Sequence, residues 1–273
     1  MSLANAGRAE LTKQFTTVMW WILALVLLFY VGSTAAGLGF VFAASATGSL
    51  GDSSGPQIPT DGMPSALYSI AASVGYVFPL LIGTLMVTSE FRHQTLSPTF
   101  LATPRRGVVL GAKVGIGVLL GILYAVVAIV ATVAPAAGLL AGFGLDPELG
   151  SSDTWALLGR IVIAFVLWVL VGIGVGALVR NQVAAIVIVL AFTQFVEPLA
   201  RLAAAFVDGL SNVTRVLPGS AGDALVGASI FTLGAQGADT GLLDWWAGGL
   251  VLLAYAVVFI LLGWLTSWRR DVS

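Results

Sequence analysis

Glu90, Arg92, His93, Arg105 and Arg106 crowd into one short stretch, EFRHQTLSPTFLATPRR, in a chain of which only 9% of residues are charged. Such a set can offer ion pairs to another macromolecule, but it contains no recognisable catalytic arrangement. His93 is the only histidine and cysteine is absent, so a histidine–cysteine metal site lacks ligands and disulfides are excluded. Lys13 and Lys113 stand outside any GxxxxGK[ST] phosphate cradle, and neither HExxH nor GxSxG occurs. Catalysis by this chain is not expected.

A second polar group interrupts an apolar run. Gln194, Glu197 and Arg201 fall at i, i+3 and i+7, on one face of a helix, and a glutamate four residues before an arginine is the favourable order for a pair. Arg160, near the start of the preceding run, is another candidate partner for Glu197. Two readings stand for these residues. One is a polar patch on the exit side of a transport route; the other is a structural ion pair beside the helix-disrupting Pro198.

The elements that hold these groups are long and apolar. Hydrophobic residues make up 58% of the 273 residues and the mean hydropathy is +1.01. Six runs reach the ~20 residues needed to cross a bilayer: Val18–Ala44, Ser65–Ser89, Val108–Gly142, Thr154–Val179, Gln182–Val207 and Asp244–Trp268. They are apolar all round rather than on one stripe, as membrane helices are. The expected fold class is an all-α integral membrane protein, one domain spanning residues 1–273. Ala44-Ser45-Ala46 resembles a signal-peptidase site, but the preceding run is about twice a signal-peptide core, so an uncleaved first span is expected.

Lys and Arg settle the expected orientation. Arg8 and Lys13 precede the first span, Arg92, Arg105 and Arg106 follow the second, Arg180 follows the fourth, and Arg269 and Arg270 follow the last. The connections Ser45–Pro64 and Phe143–Asp153 contain neither Lys nor Arg. By the positive-inside rule both termini and the Glu90–Arg106 island are cytoplasmic. Glu197 then lies about 15 residues into the fifth span, roughly 22 Å from its cytoplasmic end at 1.5 Å per residue.

Residues 1–17 set Leu3, Leu11 and Phe15 among Arg8, Glu10, Lys13 and Gln14, a pattern suited to a helix in the headgroup layer or else to a frayed polar tail. The last connection is long, and Val216–Gly234 is too apolar for a free loop while broken by Pro218, Gly219 and Gly222. It is read as re-entrant or interfacial helices, the alternative being a loop collapsed on the span ends. Gly111/Gly115, Gly117/Gly121 and Gly172/Gly176 are small-residue pairs four apart, which permit close helix approach in lipid. Packing within one subunit is the expected role, a subunit interface the alternative.

Glu90-Phe91-Arg92-His93-Gln94-Thr95 followed by Ala102-Thr103-Pro104-Arg105-Arg106 resembles the E-[FY]-R-x-x-T … T-P-x-x-R signature of ABC-2-type permeases, the membrane subunits of a class of ATP-binding-cassette exporters. The layout is similar throughout, with six spans and Leu217-Pro218 in a long final connection; the motif itself covers about 17 residues. Gln94 departs from the glycine found in many members, a change expected to be mild within a helix. The resemblance implies a bacterial plasma-membrane exporter of a small amphipathic drug, antibiotic or lipid-like compound. It implies two permease copies, most simply a homodimer, and two copies of a separate ATPase. ATP and Mg would sit on that ATPase, with no cofactor on this chain and no nucleic-acid partner.

Glu90–Phe100 would form the helix that couples to the ATPase, with Glu90, Phe91, Arg92, His93, Thr95, Arg105 and Arg106 as coupling residues. The second and fifth spans would line the path, with Tyr76, Phe78, Phe192, Phe195 and Glu197 as candidates, or these aromatics are packed or lipid-facing. An ion-coupled secondary transporter is the first alternative; it calls for inverted repeats, none of which is evident, and midplane carboxylates, of which Glu197 is the lone candidate. A non-transporting membrane assembly protein is the second.

Overall fold

The structure, a computed structural model, describes residues 3–49, 60, 62–102, 105–204, 206–207, 209–229 and 243–268. Among them every regular element is helical, and six helical segments are long and apolar enough to cross a membrane. They are Met19–Ala46, Met63–Arg92, Arg106–Gly142, Ser152–Leu178, Gln182–Ala204 and Trp245–Thr266. Most of the Ser45–Pro64 connection, Thr103-Pro104, the end of Val216–Gly234, and Arg269 and Arg270 lie outside the described residues.

The N-terminal helix is α1 (Leu3–Thr16), and the first span is α2 (Met19–Ala46). The second span is not one helix but two, α3 (Met63–Ser73) and α4 (Val77–Arg92). Pro79 is the physical cause of the break. It has no N–H to give the Gly75 carbonyl and its ring crowds that position; the Gly75 oxygen instead accepts from the Phe78 amide at 3.1 Å. The short α5 (Leu96–Ala102) leads into the long third span α6 (Arg106–Gly142), and α7 (Ser152–Leu178) is the fourth.

The fifth span starts as α8 (Gln182–Ala191), capped by the Asn181 side chain, which accepts from the amides of Val183 and Ala184. It passes through a π-helical turn (Phe192–Val196) into α9 (Glu197–Ala204). Two short helices follow, α10 (Leu210–Thr214) and α11 (Pro218–Val226), before α12 (Trp245–Gly263), which ends in a second π-helical turn, Trp264–Trp268.

The fourth span is the hub, packed against α4, α6 and α12. Glycine makes that density possible. A Cβ at Gly172 would collide with the Leu80 carbonyl of α4, and one at Gly176 would sit 2.5 Å from the Thr84 oxygen. Gly174, on the opposite face, meets Phe259 and Ile260 of α12, and Gly121 of α6 meets the Val166 backbone. In lipid, where no hydrophobic force gathers helices, backbone approach of this kind supplies the packing energy. Gly172, Gly176, Gly117 and Gly121 are thus spent inside the chain. A Cβ at Gly115 would touch nothing.

Burial sorts the spans. In its most apolar stretch the second span is 89% buried, whereas the first, fifth and sixth are each 22% buried. These three present apolar side chains outward, Trp21, Phe29, Val187, Phe195 and Leu250 among them.

Candidate functional site

At the end of the bundle where α1 lies, four charges from three helices converge. Lys113 is fully buried in α6, and its ammonium lies 2.7 Å from Glu10 Oε2 and 3.0 Å from Glu90 Oε1. Lys13 reaches Glu10 Oε1 at 3.1 Å and Glu90 Oε1 at 2.9 Å, and donates to Thr99 Oγ1 at 3.1 Å. One lysine of α1 therefore ties the end of the second span to α5, and one glutamate of α1 is tied to α6. Burial opposes the Lys13 charge, and the carboxylates of Glu90 and Glu10 outweigh it, so this ammonium titrates above the ordinary lysine range.

This network fixes which face of α1 meets the bundle. Glu10, 2% exposed, and Ala6 face the bundle, while Leu11 and Phe15 are exposed. The helix turns a charged side chain inward because Lys113 neutralises it there, and its apolar Leu11 and Phe15 are left on the outer face, as a helix in the headgroup layer would have them. Glu90 Oε1 is thereby paired within the chain, with Lys13 and Lys113.

The rest of the island divides into buried backing and exposed face. Phe91 is half-buried, Arg92, His93, Thr95 and Arg105 are exposed, and Arg106 is half-buried with its guanidinium 5.1 Å over the Phe100 ring. Leu96 anchors α5 in the bundle, whereas Leu101 on the same helix is 84% exposed. The expected continuous helix Glu90–Phe100 is interrupted: α4 ends at Arg92, Gln94 adopts φ 55°, and α5 starts at Leu96. A left-handed turn at Gln94 explains why glycine suits this position, and the substitution is one of turn geometry rather than of helix propensity. Gln94→Gly should accordingly raise thermal stability slightly, by up to ~1 kcal/mol, as measured by melting in detergent.

Toward the opposite end a second network surrounds Glu197, which is 1% exposed. Its Oε1 lies 2.8 Å from Arg201 Nη2, and Arg201 Nη1 lies 2.7 Å from Asp223 Oδ2. Glu197 also accepts from the amides of Gly219 at 3.0 Å and Ser220 at 2.8 Å. These are the orphan amides at the start of α11, whose positive end a carboxylate stabilises. Gly219 permits the approach, since a Cβ there would fall 2.6 Å from Glu197 Oε1. The Ser73 hydroxyl donates to Asp223 Oδ1 at 2.7 Å, so α3, α9 and α11 meet in one polar knot. All nine residues of α11 are buried.

Arg160 stands apart from this knot: its guanidinium lies 4.8 Å over the Trp245 ring. Its partner there is aromatic, while the Glu197 carboxylate, for which Arg160 was a second candidate partner, is held by Arg201.

The candidate path residues separate. Tyr76 is packed 4.6 Å from the Trp168 ring, and its hydroxyl donates to the Thr193 carbonyl at 3.2 Å. That carbonyl is available for a reason. The Glu197 amide bonds Phe192 in the π-helical turn, and Pro198 has no N–H to give Thr193. Phe78 is buried, 6.0 Å from the Tyr30 ring; Phe192 is half-buried and Phe195 is 67% exposed. A cavity of about 530 Å³ lies elsewhere, at the α1 end, between the α1–α2 junction, α4 and the start of α8.

No protein-family model and no curated protein sequence matches this chain.

Proposed function

We propose that the chain is the membrane subunit of an ABC-2-type exporter, working as a pair of copies driven by a separate ATPase. The observation that carries this reading is the exposed face of the island. Leu101 projects from α5 beside a charged turn holding Arg92, His93 and Thr95. An apolar side chain so displayed at the polar end of a membrane bundle suits the groove of a soluble partner, with the surrounding charges setting register. Behind this face, α5 is tied to α1 through Thr99 and Lys13, and α1 to the second and third spans through Glu90 and Lys113. Such a linkage is suited to transmit a rigid-body push.

In this account both termini are cytoplasmic, the protein resides in a bacterial plasma membrane, and α10 and α11 cover the outer end of the path. The apolar outward faces of the first and fifth spans, Phe195 included, meet the second copy, and the cargo is a small amphipathic compound. Glu197 gives little support to ion-coupled transport, since its oxygens are already engaged by Arg201 and two amides.

The test is a reconstituted complex with the cognate ATPase. Arg92→Glu should reduce cargo-stimulated ATP hydrolysis and transport roughly tenfold or more, the scale of one lost charged contact, while leaving membrane insertion intact. Unchanged stimulated hydrolysis in that variant overturns the coupling role.

A further inference from the structure

The cavity at the α1 end adjoins the four-charge network and is lined by residues of two kinds. Met19, Ile82, Leu85 and Met86 give it an apolar wall, and Gln14 and Arg92 are among its polar residues. Glu90 lines it as well, and Glu90 Oε2 is buried without a hydrogen-bond partner. Both lysines act on the other oxygen, Oε1. A buried carboxylate oxygen without a donor is costly, so a donor belongs beside it.

The level of the cavity along the bundle narrows the choice. Thr16 to Met19, where the chain turns from α1 into the first span, form part of its wall. Trp20 and Trp21 follow at once, with the Trp20 indole donating to the Phe15 carbonyl at 3.2 Å and Trp21 45% exposed. Paired tryptophans at a span end mark the headgroup level of a bilayer. The volume, about 530 Å³, is that of a small-molecule pocket.

We infer that this cavity binds the headgroup of a zwitterionic phospholipid bearing a protonated amine, the phosphoethanolamine type. Its ammonium N–H donates to the Glu90 carboxylate, whose Oε2 turns from its buried position toward the cavity to meet it, its phosphate faces the exposed Arg92, and its first acyl carbons lie on Met19, Leu85 and Met86. Glu10 and Glu90 balance Lys13 and Lys113, and Arg92 adds one positive charge for the phosphate, so it is the amine on the carboxylate that distinguishes this headgroup from an anionic lipid. A trimethylammonium headgroup fails for want of an N–H. The inference does not depend on whether the chain exports anything.

The test uses the full-length protein in nanodiscs made from acyl-matched lipids whose headgroups carry zero, one, two or three N-methyl groups. Lipid retained after gentle delipidation is counted by mass spectrometry. The first three should be retained alike and the trimethyl lipid roughly tenfold less, the step coming where the last N–H is lost. Ser89→Phe, which fills the cavity beside Glu90, should abolish the preference. Equal retention across the series, as when water alone serves Oε2, overturns the proposal. So does a wild-type preference in Ser89→Phe, or displacement of the lipid by water-soluble phosphoethanolamine at equal concentration.

Discussion

Lys113→Met should lower the stability of the detergent-solubilised protein by about 3–5 kcal/mol, the cost of removing one partner from a buried ion pair. The Lys113 side chain is wholly inaccessible, and its ammonium serves both Glu10 and Glu90. Methionine keeps the length of the stem but leaves two buried carboxylates with Lys13 alone. Adding Glu10→Gln should recover part of the loss, because one uncompensated charge is removed with it. The melting temperatures of the single and double variants check this. A single variant that melts like the wild type would mean that α1 does not depend on its charged anchor.

Arg201→Gln should be nearly as damaging, about 3–5 kcal/mol, since it leaves both Glu197 and Asp223 unpaired in a low-dielectric setting. Glu197→Gln should cost less, about 1–3 kcal/mol, because Arg201 keeps Asp223 while α11 loses the carboxylate at its first amides. The Glu197→Gln, Arg201→Gln double variant should recover only part of the loss, for Asp223 stays charged; adding Asp223→Asn should recover more. A pathway role forecasts a different pattern, in which Glu197→Gln keeps wild-type melting yet changes which cationic compounds are exported. Melting curves read beside a resistance profile separate the two.

The membrane class and the six spans were legible because length and apolarity suffice for them. The i,i+4 geometry of Glu197 and Arg201 was legible too, being local. What joined them to Asp223 was not, since that contact spans 22 residues and depends on how α11 docks. The α1 network failed for the same reason at greater distance: Glu10 and Lys113 are 103 residues apart. Composition marks Glu90 as an exposed island charge, and only the packing of three helices turns it inward. Two further features have local signals. Pro79 marked the break within the second span, and Gln94 in the place of a glycine marked a left-handed turn rather than a helical residue.

The central claim is that α5 faces the cytoplasm and docks on an ATPase, and labelling at Leu101 tests it most directly. The chain has no cysteine, so Leu101→Cys provides a reporter without background. An impermeant maleimide should label it only after the membrane is permeabilised, and coexpression of the cognate ATPase should protect it. Labelling from outside intact cells, or labelling at an undiminished rate with the ATPase bound, contradicts the account.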